Sequence, residues 1–142
     1  MFRVLALILF ASPAQAQDVM RPQEADRLAT FDTTFGTAMR QAMSGGSRGD
    51  VDMLQEALMG EPLPPLQTAL AGDWTCRTLK LGGLPPLVSY AAFDCRITPD
   101  GTAFVFEKLT GSQRATGHIS LQDGQMIYLG VRYVADEAPL PY

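Results

Sequence analysis

Apolar and polar positions follow two rhythms along this 142-residue chain, and the change of rhythm divides it. Over residues 22–43, Ala25, Leu28, Phe31, Phe35, Ala38, Met39 and Ala42 recur at spacings of three and four, the stripe of a helix with one apolar side. Pro22 suits a first helical turn, and Glu24 and Asp26 stand where the helix dipole favours acids. Ser44-Gly45-Gly46 ends the segment. Thr33, Thr34 and Gly36 are poor helix formers and predict a kink or a division into two shorter helices. A further helix is predicted over residues 51–59, with Asp50 as N-cap, Val51, Leu54 and Leu58 as its buried side and Gly60 as its stop. The run Glu61-Pro62-Leu63-Pro64-Pro65 then breaks regular structure. These helices are expected to cover one side or end of a sheet.

From residue 72 the period becomes two. Placing Cys76 opposite Cys95 in an antiparallel pair puts the reversal inside Gly82-Gly83-Leu84-Pro85-Pro86 and sets Trp74 against Ile97 and Thr78 against Phe93. Trp74, Cys76, Phe93, Cys95 and Ile97 then share an apolar face, while Asp73, Thr75, Arg77, Asp94 and Arg96 share a polar one. A turn at Thr98-Pro99-Asp100-Gly101 brings Phe104 opposite Cys95 and Phe106 opposite Phe93. Thr110-Gly111-Ser112-Gln113 makes the next turn, and Asp123-Gly124 is a two-residue hairpin turn into residues 126–134. In that last strand Ile127, Leu129, Val131 and Tyr133 form one apolar row, with Met126 and Tyr128 opposite, which predicts cover on both sides. The fold class read from these patterns is α+β: N-terminal helices, then a five-stranded antiparallel meander or partial barrel. An open edge after residue 134 is a liability for a free-standing sheet, so further strands are expected beyond Tyr142 and the chain reads as C-terminally truncated.

The first sixteen residues change the picture of where the protein works. Arg3, an apolar run over residues 4–10 and Ala14-Gln15-Ala16 have the form of a cleavable secretory signal, with the mature chain starting near Gln17. The apolar run is too short for a membrane anchor, which needs about 20 residues, and no cysteine follows the cleavage site to carry a lipid. The domain reading is therefore a signal peptide at 1–16, a helical segment at 17–71 and the disulfide-stapled meander at 72–142. A bacterial, periplasmic location agrees with an even pair of cysteines, Cys76 and Cys95, read as a disulfide. Of the 11 basic residues Arg3 lies in the leader, so the mature chain keeps 10 against 15 acidic ones. That balance argues against nucleic acid or anionic membrane as the main partner.

The runs Gly-Asp-Trp-Thr-Cys-Arg-Thr-Leu-Lys-Leu-Gly-Gly from residue 72, Pro-Leu-Val-Ser-Tyr-Ala-Ala-Phe-Asp-Cys-Arg-Ile from 86 and Phe-Glu-Lys-Leu-Thr-Gly-Ser-Gln-Arg-Ala-Thr-Gly from 106 resemble the exported bacterial family called domain of unknown function 4893. So does Tyr-Leu-Gly-Val-Arg-Tyr-Val from 128 with its Pro-Leu-Pro-Tyr ending. The resemblance covers most of the mature chain. It implies export and architecture, and it carries no catalytic residues, since that family has no assigned activity. Its members run past the position of Tyr142 with strand-like sequence. A weaker likeness, carried by Gly72-Asp73-Trp74 alone, is to the lipocalin-like barrels. Periplasmic protease inhibitors of that kind combine a Gly-x-Trp strand with one disulfide, and their inhibitory tail would fall at residues 17–23 here.

Candidate chemistry adds little to this. His118 is the only histidine, reads as a surface residue on a polar strand face, and has no serine or free cysteine marked out for it to activate. Gly82-Gly83 precedes two prolines and no helix start, unlike a phosphate loop. Met39 and Met43, with Met20, Met53 and Met59, are read as packing residues rather than copper ligands. Asp94, Asp100 and Glu107 do not read as a glycosidase pair. Neither a metal nor another cofactor is expected. Two surfaces are candidates for binding: Trp74, Phe93, Phe104 and Phe106 either line a barrel interior for a small apolar ligand or simply fill the core, and Arg77, Arg96 and Arg114 form either a docking patch for an anion or an envelope protein or a solvated face laced with Asp73, Asp94 and Glu107. The expected function is a non-enzymatic periplasmic binding or interaction module. The alternatives are an inhibitor of an exported protease and an enzyme of unrecognised type.

Overall fold

A computed structural model describes residues 20–61, 64 and 69–142, so the expected signal segment, residues 17–19 of the expected inhibitory tail and part of the proline-rich linker lie outside the described residues. Three helices, α1 (Pro22–Ala29), α2 (Phe31–Gly45) and α3 (Arg48–Leu58), precede five strands, β1 (Gly72–Leu81), β2 (Leu87–Asp100), β3 (Ala103–Lys108), β4 (Gln113–Gln122) and β5 (Gln125–Val134). The strands pair antiparallel in chain order, β1-β2-β3-β4-β5, and β1 does not pair with β5. The α+β meander is as the periodicity predicts, but the sheet does not close into a barrel.

The first helical segment does divide, at Thr30, whose hydroxyl donates to the Asp26 carbonyl. Thr33, Thr34 and Gly36 stay helical inside α2. Only the C-terminal part of the apolar stripe is sealed: Ala42 is fully buried and Met39 packs beside it, whereas Leu28, Phe31 and Phe35 are exposed. In α3 the N-cap is Ser47, not Asp50. The Ser47 hydroxyl accepts from the Asp50 amide at 3.2 Å, as an N-cap does, and donates to the Asp50 carboxylate at 2.6 Å. Leu58, expected in the core, lies at the last turn and is exposed, while Leu54 is buried.

The core that joins helices to sheet forms at the tip of the first hairpin. Ala42, Leu54 and Leu87 are its buried centre, with Met39, Val51, Leu79 and Leu81 against it. Asp50 pins the same contact, its carboxylate accepting from the amide and the hydroxyl of Ser89 on β2. Gly46 has no room for a side chain: a Cβ there would press on the Ala42 carbonyl, Leu87 and Val51.

Before its bulge the first hairpin differs from the expected register by two residues, and the second hairpin differs by four. Cys76 faces Phe93 and Trp74 faces Cys95, so the cysteines sit diagonally, with their sulfurs at bonding distance and their Cα atoms 6.0 Å apart. The ladder shifts between Arg77 and Leu79, where the bulged strand β2 carries one extra residue, and the hairpin loop spans residues 82–86, closed by the Gly82 amide on the Pro86 carbonyl. In the second hairpin, β2 runs on through Pro99 and reverses at Gly101-Thr102, placing Phe106 opposite Ile97 and Phe104 opposite Pro99. Because β1 ends beside Ile97, a proline at 99 interrupts no bond to β1. An even slip leaves side chains on their expected faces, and only the β2 residues beyond the bulge, Leu87 and Ser89 among them, change face. The last hairpin is as predicted: Gln122 pairs with Gln125, and Asp123 and Gly124 both adopt positive φ, 48° and 80°, as a type I′ turn requires.

Candidate functional site

The sheet has two unlike faces. Alternation along the paired strands puts Trp74, Cys76, Phe93, Cys95, Ile97, Phe104, Phe106, Ile119 and Tyr128 on one. On the other stand Asp73, Arg96, Glu107, Thr116 and Val131, in a single row across all five strands. The helices take this second face. They hold Leu79, Leu81 and Leu87 at the hairpin tip, and α1 lies beside Ile127 and Leu129 around a cleft of about 270 Å³ that Met20, Leu28 and Phe31 also line. The C-terminal residues Pro139 to Tyr142 lie on it too, bounding a cleft of about 310 Å³ with Val105, Thr116, His118 and Val131. Arg21 at the start of α1 stacks over the Tyr142 ring at 4.4 Å.

Among the described residues the clefts bounded by α1 and by the C-terminal residues lie on the other face, and of the aromatic side chains Tyr128 also borders the α1 cleft. Trp74 is 44% exposed and Tyr128 42%, and Phe93, Phe104 and Phe106 are half-buried. The four aromatics expected to line a barrel therefore share an open face instead. Their surroundings are ordered: the Trp74 indole N–H donates to the Leu70 carbonyl at 2.7 Å, and Phe106 meets Tyr128 edge to face at 5.5 Å. Gly117 and Gly130 pair directly beside Phe106. A Cβ at Gly117 would strike the Leu129 carbonyl and one at Gly130 the Tyr128 hydroxyl, so the Tyr128 ring covers the bare backbone of Gly130, as aromatic residues do for glycine in sheets.

The cations expected to form a docking patch are on the helix-side face but are separately engaged. Arg96 donates to Asp73 at 2.7 Å and lies between it and Glu107 in the ladder, which holds its guanidinium charge more firmly. Arg77 donates to the Tyr90 carbonyl at 3.3 Å. Arg114 is opposite Tyr133, and its Nη1 is buried without a hydrogen-bond partner among the described residues. His118 is on the helix-side polar face with its side chain 41% exposed, bordering the C-terminal cleft with the Asp100 carboxylate 3.5 Å away.

Two residues with a claim on the aromatic face were not assigned to a site from sequence. Lys108, which breaks the alternation at the end of β3, places its ammonium 3.5 Å from the Phe93 ring centre and donates to the Gln113 carbonyl at 2.5 Å. Burial, and then nearby Arg114, push its pKa down. Arg132 stands in the same row two strands away, the row running Trp74, Cys95, Lys108, Ala115, Arg132. The signal was the β4–β5 turn, which sets that register from sequence alone.

These features define an open, disulfide-stapled α+β meander with helices on one face and aromatics on the other. The family described as a domain of unknown function (DUF4893) matches residues 16–142, and the chain belongs to it. No curated protein and no solved structure matches it. Among the described residues no helix is long and apolar enough to cross a membrane, and no cluster of histidine, cysteine and carboxylate side chains has the form of a metal site.

Proposed function

We propose that this protein is an exported periplasmic binding module, without catalytic activity, that holds a small apolar ligand on its open aromatic face. The observation that carries the reading is one sheet face on which Trp74 and Tyr128 are exposed beside the half-buried Phe93, Phe104 and Phe106. Leaving such rings in water forgoes about 25 cal/mol for each Å² that a ligand would cover. The cysteine pair and the leader-like first sixteen residues support export.

Trp74 is the only tryptophan, so its emission reports on this face without a label. Titration of the periplasmic protein with dodecanol, a neutral chain, is expected to blue-shift and saturate that emission. Phe106→Ala is expected to weaken binding while the near-ultraviolet dichroism of the fold persists. An emission spectrum unmoved at the solubility limit of dodecanol removes the reading. Intact mass of the same sample is expected to begin at Gln17 and to lack two hydrogens; an uncleaved leader or two free thiols contradicts export.

A further inference from the structure

The charges of the sheet are sorted between its faces. Asp73, Asp94, Asp100 and Glu107, all the acidic residues of the five strands, alternate onto the helix-side face. The aromatic face carries none, although the chain as a whole has net charge −4. Its charges are Lys80, Lys108 and Arg132, all positive. Among the described residues neither Lys108 nor Arg132 makes an ion pair, whereas Arg96 on the other face is met by Asp73. An uncovered face that is apolar and wholly cationic complements an apolar body with a negative end.

The placement gives that complement a direction. Lys108 and Arg132 stand in one row of the ladder, and the rows beyond it hold Ile97 and Phe106, then Phe104, Ile119 and Tyr128, then Leu121 and Met126. From the cationic row to Leu121 is six residues, roughly 20 Å of continuous apolar surface at about 3.3 Å per residue. We propose that the aromatic face binds a single-chain anionic amphiphile of the fatty-acid class, its carboxylate at Lys108 and Arg132 and its acyl chain along Phe106, Ile119 and Tyr128. This deepens the binding-module reading and rests on it. A second copy of the chain fits less well, because its own aromatic face carries no acidic residue to answer Lys108 and Arg132. The half-buried Lys108 ammonium, already destabilised by its surroundings and by Arg114, gains most from an arriving anion.

The test compares three probes of one chain length below their micellar concentrations, read by Trp74 emission: dodecanoate, dodecanol and dodecyltrimethylammonium. Dodecanoate is expected to bind about tenfold or more tightly than dodecanol, the scale of a charge-assisted contact, and the cationic probe more weakly than either. Lys108→Gln with Arg132→Gln is expected to remove the dodecanoate advantage and leave dodecanol within about twofold, since the apolar track is intact. Should that variant fold poorly, the unmodified protein decides: added salt is expected to weaken dodecanoate and not dodecanol. Equal affinity of dodecanoate and dodecanol, or no salt dependence, overturns the anion assignment while leaving the apolar binding module standing. A protein that binds none of the three, or sediments as a dimer that excludes them, overturns both.

Discussion

At the scale of single residues, Asp50 shows how one side chain couples helix to sheet. Ser47 and Ser89 donate three hydrogen bonds to groups of its carboxylate; with the Ser47 hydroxyl foremost, they hold its pKa below the ordinary 3.8. A carboxylate whose folded pKa lies below its unfolded value stabilises the fold above the unfolded value, and that contribution is lost as pH falls through the folded one. Thermal stability is therefore expected to be level above about pH 5 and to decline in acid; Asp50→Asn should lower the neutral plateau and flatten the decline, as melting curves across pH would show. Ser47→Ala is expected to cost about 1 kcal/mol in urea unfolding, the usual loss for a helix N-cap. Leu54, at 2% exposure, should cost about 2–5 kcal/mol as Leu54→Ala, and a smaller loss would mean that the α3 contact with β2 contributes little.

At the scale of elements, the last hairpin and the first two behave differently. Asp123-Gly124 dictates a two-residue turn because both positions need positive φ, which glycine adopts freely and aspartate tolerates. The register of β4 with β5 follows from it. The first hairpin has a five-residue loop and a bulge near its tip, and neither is written in alternation, so the cysteine pair alone suggested a direct rather than a diagonal crossing. Diagonal neighbours on one face are within reach of each other across a ladder, which is why a two-residue slip still permits the bond. Gly117→Ala is expected to destabilise strongly, since a Cβ would strike the Leu129 carbonyl and the Gly130 backbone. Gly36→Ala should stabilise slightly, because that helical position is open and alanine is the better helix former. Unfolding midpoints that move in the same direction for both would contradict this account of the two glycines.

At the scale of the molecule, the sheet is held together by neighbouring strands and the helices attach mainly at one hairpin tip. Cys76 and Cys95 are 19 residues apart, so replacing both with alanine is expected to lose about 3 kcal/mol through the freed unfolded chain, measurable as a lower urea midpoint. From sequence alone came the two rhythms and hence the order of helices and strands, the sharing of a face by both cysteines and the aromatics, and the family likeness. These are local properties: side-chain period, turn chemistry and cap residues act over a few positions and need no partner. Tertiary structure decided the rest. It decided which face the helices cover, because Leu79, Leu81 and Leu87 change from strand residues to a helix seat only once the bulge turns them together. It also decided that Arg96 is answered by Asp73 while Lys108 and Arg132 share an open apolar face. Charge on a strand has a meaning only when its neighbours on adjacent strands are known, and those neighbours are set by register, which depends on loops and bulges far along the chain.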